Sequence, residues 1–255
     1  MRVCRSIAEV RTALEPYRDG VLGLVPTMGA LHAGHLSLLA AARAECSTVV
    51  MSLFVNPSQF GDPGDLDGYP RDEERDLAAA AEAGVDLVFA PSVDEMYPPG
   101  FQTWVDVTEL GAMLEGVYRP GHFRGVATIC LKLFTIVRPD LVYFGQKDAQ
   151  QVAVLRQMIS DLALELELRD LPTVRDADGL ALSSRNRGLS TAERELALSL
   201  PRALATRDPE RARALLDGLE VDYVEIAPFD PPVLAAAVRV GSTRLIDNVP
   251  IQEVS

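Results

Sequence analysis

Two of the three histidines in this 255-residue chain, His32 and His35, stand three residues apart with Gly34 between them. An apolar run at 21–25 precedes them and an Ala/Leu-rich stretch at 36–44 follows, an order that reads strand, glycine-containing turn, helix. A helix start offers backbone N–H groups and the positive end of a dipole, and phosphates bind there. Two imidazoles on that first turn add donors for a phosphate that gains charge during a reaction. The plainer reading is a pair of helix-cap histidines. A metal pair needs a third ligand, and His122 is the only other histidine, so no metal site is expected.

Three further clusters carry comparable chemistry. Lys147 and Asp148 lie in a Gly145-Gln146-Lys147-Asp148 turn after the apolar run 141–144. Lys147 supplies a point charge, or is a solvated surface lysine; Asp148 is a ligand, or an N-cap with Gln151 as its capping-box partner. Ser183-Ser184-Arg185 brings two hydroxyls and a guanidinium, in a composition that ordinary turns also use. Asn56 and Gln59 follow the β-branched run 48–55 and suit a small polar substrate, or simply cap strand ends. The histidines, Lys147 and the Ser183–Arg185 segment together suit a triphosphate, whose transfer depends on positioning and on neutralising spread charge.

The elements that must position these residues alternate. Helical patterns at 6–18, 34–45, 70–83, 123–137 and 149–162 are interleaved with strand patterns at 21–25, 48–55, 85–90, 141–144 and 165–171, and 61–68 reads as a loop. This spacing predicts βαβ units: a Rossmann-like, doubly wound parallel α/β sheet binding ligands at the carboxyl ends of its strands. After Pro172 the texture changes. A turn cluster at 176–179, a capping box from Ser190 to Glu193 and strand candidates at 222–226 and 243–247 predict a small α+β domain with antiparallel strands. The expected division is 1–173 and 174–255, with the smaller part acting as a lid.

A net charge of −13 argues against nucleic acid as the main partner. Cys4, Cys46 and Cys130 are odd in number and lack CxxC spacing, so neither a disulfide framework nor a zinc motif is expected. No run reaches the length of a membrane span, and the expectation is a cytoplasmic protein with no membrane partner.

The HxGH pattern resembles the signature of nucleotidylyltransferases and class I aminoacyl-tRNA synthetases. The wider pattern resembles one family more closely, the pantothenate synthetases, or pantoate–β-alanine ligases. The matching segments are 25–35, Phe54-Val55-Asn56-Pro57-Ser58-Gln59-Phe60, Asp67-Gly68-Tyr69-Pro70-Arg71, Leu114-Glu115-Gly116, 119–126, 144–151 and 179–186, in family order. The resemblance implies that ATP activates pantoate as an acyl adenylate, that β-alanine then displaces AMP, that Mg²⁺ accompanies the nucleotide, and that the protein is a homodimer. It implies an ATP site from Met28, Gly29, Gly34, Gly145, Gln146, Lys147, Asp148, Val174 and Leu182, with His32, His35, Ser183, Ser184 and Arg185 at the phosphates and His35 as acid. It places Gln59 and Gln151 on pantoate, Pro26, Met28 and Phe54 against its methyl groups, and Asn56, Tyr69, Glu115 and Arg119 around the remaining cleft. Gln146 stands where the family has glutamate, Leu182 replaces methionine, and the stretch from 186 to 221 is short. The competing function is a nucleotidylyltransferase acting on another small carboxylic acid or phosphate.

Overall fold

The computed structural model describes residues 1–61 and 63–251. The chain divides into two units, 1–144 with 154–171, and 145–153 with 172–255, of which 252–255 lie outside the described residues.

The first stretch runs β1 (Arg2–Cys4), α1 (Ile7–Leu14), β2 (Leu22–Thr27), α2 (Ala33–Glu45), β3 (Thr48–Leu53), α3 (Pro63–Asp67), α4 (Glu73–Glu82), β4 (Leu87–Phe89), α5 (Val93–Met96), α6 (Glu115–Tyr118), α7 (His122–Val137), β5 (Leu141–Gly145), α8 (Ala149–Asp161) and β6 (Glu167–Leu171). The six strands form one sheet in the order β1-β4-β3-β2-β5-β6. The pairs β1–β4, β4–β3, β3–β2 and β2–β5 are parallel. From β2 the chain builds outward through β3 and β4, then returns to add β5 on the other side. The topological switch point, where open α/β sheets bind ligands, therefore lies between β2 and β5.

Burial explains the strand sequences. Val25, Val49, Met51 and Val88 pack against Leu38, Leu39 and Ala42 of α2 and Ala80 of α4. Helix α7 packs with α1 and reaches β2. A parallel sheet covered on both faces needs continuous apolar runs, as Val49-Val50-Met51 shows.

Two expectations are corrected here. The helix expected from Pro70 begins at Glu73, where the Asp72 side chain accepts the Arg75 N–H as N-cap. The expected loop at 61–68 contains the five-residue α3; position 62 lies outside the described residues.

The second unit holds α9 (Thr191–Ala197), α10 (Ser199–Leu204), α11 (Pro209–Leu215), β7 (Glu220–Ala227), β8 (Val233–Val240) and β9 (Thr243–Pro250). Its sheet is antiparallel, in the order β7-β8-β9. Its core joins Leu200, Ala203, Leu204 and Ala212 to Val224, Leu234, Ala236, Val238 and Leu245. The central strand β8 is absent from the sequence reading, and the two strands foreseen beside it are longer than expected.

Candidate functional site

The histidine turn is built from the end of β2 onward. After Thr27 the backbone enters the left-handed region at Gly29 (φ +84°) and Ala30 (φ +53°). A Cβ on Gly29 would lie 2.7 Å from Asp76 Oδ2, so glycine is required there on two counts. Asp76, on the first turn of α4 and buried, accepts the Ala30 and Leu31 N–H groups, each at 2.8 Å. Thr27 Oγ1 donates to the Ser52 carbonyl at 2.7 Å and accepts the Gly29 N–H at 3.4 Å. A carboxylate and a hydroxyl from neighbouring elements thus fix the approach to α2.

His32 is the N-cap of α2, its Nδ1 accepting the Gly34 N–H at 3.1 Å. The His32 N–H in turn donates to His35 Nδ1 at 3.4 Å, a reciprocal cap. The two rings lie 4.1 Å apart, tilted by 37°. Because each Nδ1 is an acceptor, the neutral ring carries its proton on Nε2. Capping and ligand binding are therefore not alternatives: the cap uses Nδ1 and makes each Nε2–H a donor. Gly34 makes this possible, since a Cβ there would stand 2.9 Å from His32 Cε1 and 3.0 Å from its Nδ1.

The Asn56–Gln59 turn has a different construction. Asn56 is 1% exposed. Its Oδ1 accepts from the Ser58 N–H (3.3 Å), Ser58 Oγ (2.8 Å) and Tyr97 OH (2.8 Å). Its Nδ2 donates to the Gly125 carbonyl (3.2 Å) and to Gln59 Oε1 (3.0 Å). With its carboxamide engaged at both ends, Asn56 orients Gln59. The Gln59 carbonyl accepts from His122 Nδ1 at 2.9 Å, and His122 Nε2 lies 3.1 Å from Arg119 Nη1. A guanidinium can only donate, so Nε2 is the acceptor and Nδ1 carries the proton. Arg119 also lies 3.8 Å from the buried Glu115 carboxylate. Gly125 lets the turn sit against α7, because a Cβ there would fall 2.4 Å from the Ser58 carbonyl oxygen.

Around these turns, Pro26 and Met28 are half-buried and Phe54 is buried, its ring 6.4 Å from that of Tyr97. Tyr69 meets Phe60 edge-on at 5.8 Å.

In the second unit, Gln146–Asp148 forms a 3₁₀ turn capped by Gly145. Lys147 Nζ lies 3.7 Å from Asp148 Oδ1. Asn248 Nδ2 donates to the carbonyls of Gln146 and Lys147, each at 2.9 Å. Gln151, half-buried, lies on the first turn of α8. Val174 and Leu182 face each other across a hairpin, the Leu182 N–H donating to the Val174 carbonyl at 3.0 Å. Ser183 caps the 3₁₀ turn Ser184–Gly188, its Oγ accepting the Arg185 N–H at 3.3 Å. Beside it, Asn186 Oδ1 is buried with no hydrogen-bond partner among the described residues.

Sequence reasoning did not foresee Asp76, Gly125, Asn248 or the use made of His122. Asp76 is one of three acids in the first turn of α4, and its spacing of four from the buried Ala80 sets it apart from Glu73 and Glu74. Among the described residues, no group of three or more His, Cys, Asp or Glu side chains could hold a metal ion.

Comparison with known proteins agrees over nearly the whole length. The model of the family described as pantoate-beta-alanine ligase matches residues 2–250. A pantothenate synthetase of Pelotomaculum thermopropionicum is 49% identical over 276 aligned positions, covering 97% of this chain and 98% of its own. One from Roseiflexus sp. is 51% identical, with 97% and 98% covered. Among solved structures, pantothenate synthetase from Thermus thermophilus is 46% identical, covers 98% of this chain and 99% of its own, and superposes with a TM-score of 0.93. The pantoate-beta-alanine ligase of Francisella tularensis, solved in complex with beta-gamma ATP and beta-alanine, is 33% identical with 98% of each chain covered and a TM-score of 0.88. The chain belongs to the pantoate-beta-alanine ligase family.

Proposed function

We propose that this chain joins pantoate to β-alanine in two steps driven by ATP. The pantoate carboxylate attacks the α-phosphorus and pyrophosphate leaves. The β-alanine amine then attacks the carbonyl of the acyl adenylate, AMP leaves, and the amine loses a proton. A carboxylate is a poor acyl donor, and the mixed anhydride supplies the leaving group it lacks. The observation that carries this reading is the reciprocal cap at His32 and His35, two Nε2–H donors held at the start of a 13-residue helix. The ATP and β-alanine of the Francisella relative's complex support the same substrates here.

The roles rest on the family resemblance, with the local geometry of each unit in support. His32 and His35 donate to phosphate oxygens as charge builds there. The neutral rings serve as hydrogen-bond donors through Nε2; when His35 acts as acid it first takes a second proton at Nδ1, which ends its part in the cap, then gives the Nε2 proton to the phosphate oxygen and returns to a neutral ring. Met28 and Gly29 border the same turn. Lys147, Ser183, Ser184 and Arg185 neutralise and hold the phosphate chain, with Gln146, Asp148, Val174 and Leu182 along the nucleotide. Gly145 has extended backbone, and among the described residues no atom beyond its chain neighbours lies within 4 Å of where its Cβ would be, so nothing there demands glycine. The space it leaves suits a nucleotide. Gln59 and Gln151 hydrogen-bond pantoate without neutralising the nucleophile, against Pro26, Met28 and Phe54. Asn56 acts through Gln59 rather than on substrate. Tyr69 and Arg119 complete the cleft. Mg²⁺ enters on the nucleotide as part of the substrate. The family resemblance also supports a homodimer and a cytoplasmic location; among the described residues no helix is long and apolar enough to cross a membrane.

The test is an assay with ATP, (R)-pantoate and labelled β-alanine. Pantoate-dependent release of AMP with amide formation is expected. Nucleotidyl transfer without amide would instead favour a nucleotidylyltransferase, and no turnover would overturn the reading.

A further inference from the structure

Two adjacent residues of β9 join the segments that the proposed function assigns to the nucleotide. Successive side chains of a strand point to opposite faces of its sheet. Asp247 pairs across the ladder with Ala236, on the face that meets α10, and Asn248 pairs with Ala235 on the other face. Asp247, 2% exposed, accepts Arg175 Nη1 at 2.6 Å and Nη2 at 3.0 Å, a two-pronged ion pair. Arg175 Nη1 also donates to the Gly179 carbonyl at 3.1 Å, closing the loop of the hairpin whose arms carry Val174 and Leu182. Asn248, 7% exposed, sends both hydrogens of Nδ2 to the Gln146 and Lys147 carbonyls. The Asn248 N–H donates to Asp247 Oδ1 at 2.8 Å, so the two anchors are themselves coupled.

We propose that Asp247 and Asn248 are positioning residues that hold the Gln146–Asp148 turn and the Val174–Leu182 hairpin in one fixed arrangement on β9. Neither side chain touches a reacting atom in this role. Asn248 sets the backbone from which Lys147 projects, and Asp247 sets the hairpin that leads into Ser183–Arg185. A buried polar network specifies one arrangement only when its members are all satisfied. The groups that make the two links meet that condition: two amide hydrogens face two carbonyls, and two guanidinium nitrogens face two carboxylate oxygens.

This inference rests on the reading of both segments as nucleotide-binding, so its test has one readout that needs no turnover. Hydrogen–deuterium exchange is measured on the full chain for wild type, Asn248→Ala and Asp247→Asn. Faster exchange confined to 145–149 is expected for Asn248→Ala, and faster exchange through 174–185 for Asp247→Asn. In the ligase assay, Asn248→Ala should lower kcat/KM for ATP about 10- to 100-fold, as small misplacements of binding groups do, with KM for β-alanine within about twofold. A purely structural role would lower the thermal midpoint and leave both KM values unchanged; that result, or wild-type exchange in both segments, overturns the proposal. If Asn248→Ala does not fold, Asn248→Asp, equal in size but without the donors, carries the same measurements. A wild-type chain that forms no amide defeats the functional reading, while the exchange pattern still decides the positioning.

Discussion

At the scale of single residues, Gly34 separates catalysis from stability. Gly34 is the second residue of α2, and alanine favours a helix over glycine by about 1 kcal/mol or less, a gain that Gly34→Ala would bring. Its Cβ would nonetheless meet the His32 ring at 2.9 Å and push the imidazole from its cap. The expected outcome is a 10- to 100-fold fall in kcat/KM with little net change in the thermal midpoint, because the gain of about 1 kcal/mol in helix propensity is offset by about 1 kcal/mol lost with the cap; steady-state kinetics and thermal unfolding check it together. Asp76 gives the opposite pattern. Its removal in Asp76→Ala strands two buried N–H groups, each worth roughly 1–3 kcal/mol, so urea unfolding should show a loss of about 3 kcal/mol or more. The residues legible in the sequence were those whose partners are neighbours in the chain: His32 with His35, Lys147 with Asp148. Asp76, His122 and Asn248 work through partners 45, 63 and 101 positions or more away, and no local spacing announces such a pair.

At the scale of elements, the parallel sheet was readable because its strands are short apolar runs between well-marked helices. Strand β8 was not, for a physical reason. Its Ala235, Ala236 and Ala237 suit a helix by propensity, and only burial between β7 and β9 makes them strand residues. Small side chains are what that position allows: Ala236 is fully buried among Leu200, Ala203 and Leu204. Ala236→Leu should therefore cost about 1–3 kcal/mol by overpacking, read from the urea midpoint. An unchanged midpoint would mean that the space beside Ala236 is larger than the core packing indicates. A second element contact bears on substrate rather than stability. In Gly125→Ala the new Cβ would meet backbone at 2.4 Å on Ser58, which cannot yield as a side chain would. The turn carrying Gln59 must shift, and the expected result is a raised KM for pantoate with KM for ATP little changed.

At the scale of the whole molecule, the chain is built as two units. Each unit keeps its own apolar core, one around α2 and β3, the other around α10 and β8. The three cysteines and the single tryptophan, Trp104, all lie in the first unit. Burial raises the pKa of Cys4 and Cys46, and pushes Cys130 up to about 12. A raised thiol pKa favours the protonated form in the folded state, while the unfolded thiols titrate near 8.5. The associated stability is therefore complete below about pH 8.5. It is lost as pH climbs toward 12, because the unfolded chain then ionises and the folded chain does not. Two measurements follow. At pH 8 a thiol-reactive disulfide should label the native chain slowly and all three cysteines in urea. The labelling transition should coincide with that of Trp104 fluorescence, since both report the first unit, whose Trp104 ring stacks 6.1 Å from Tyr97. Raising the pH from 8 to 11 should move both midpoints to lower urea together. Rapid labelling of native Cys130, or midpoints that do not move, would contradict a buried, neutral thiol in α7.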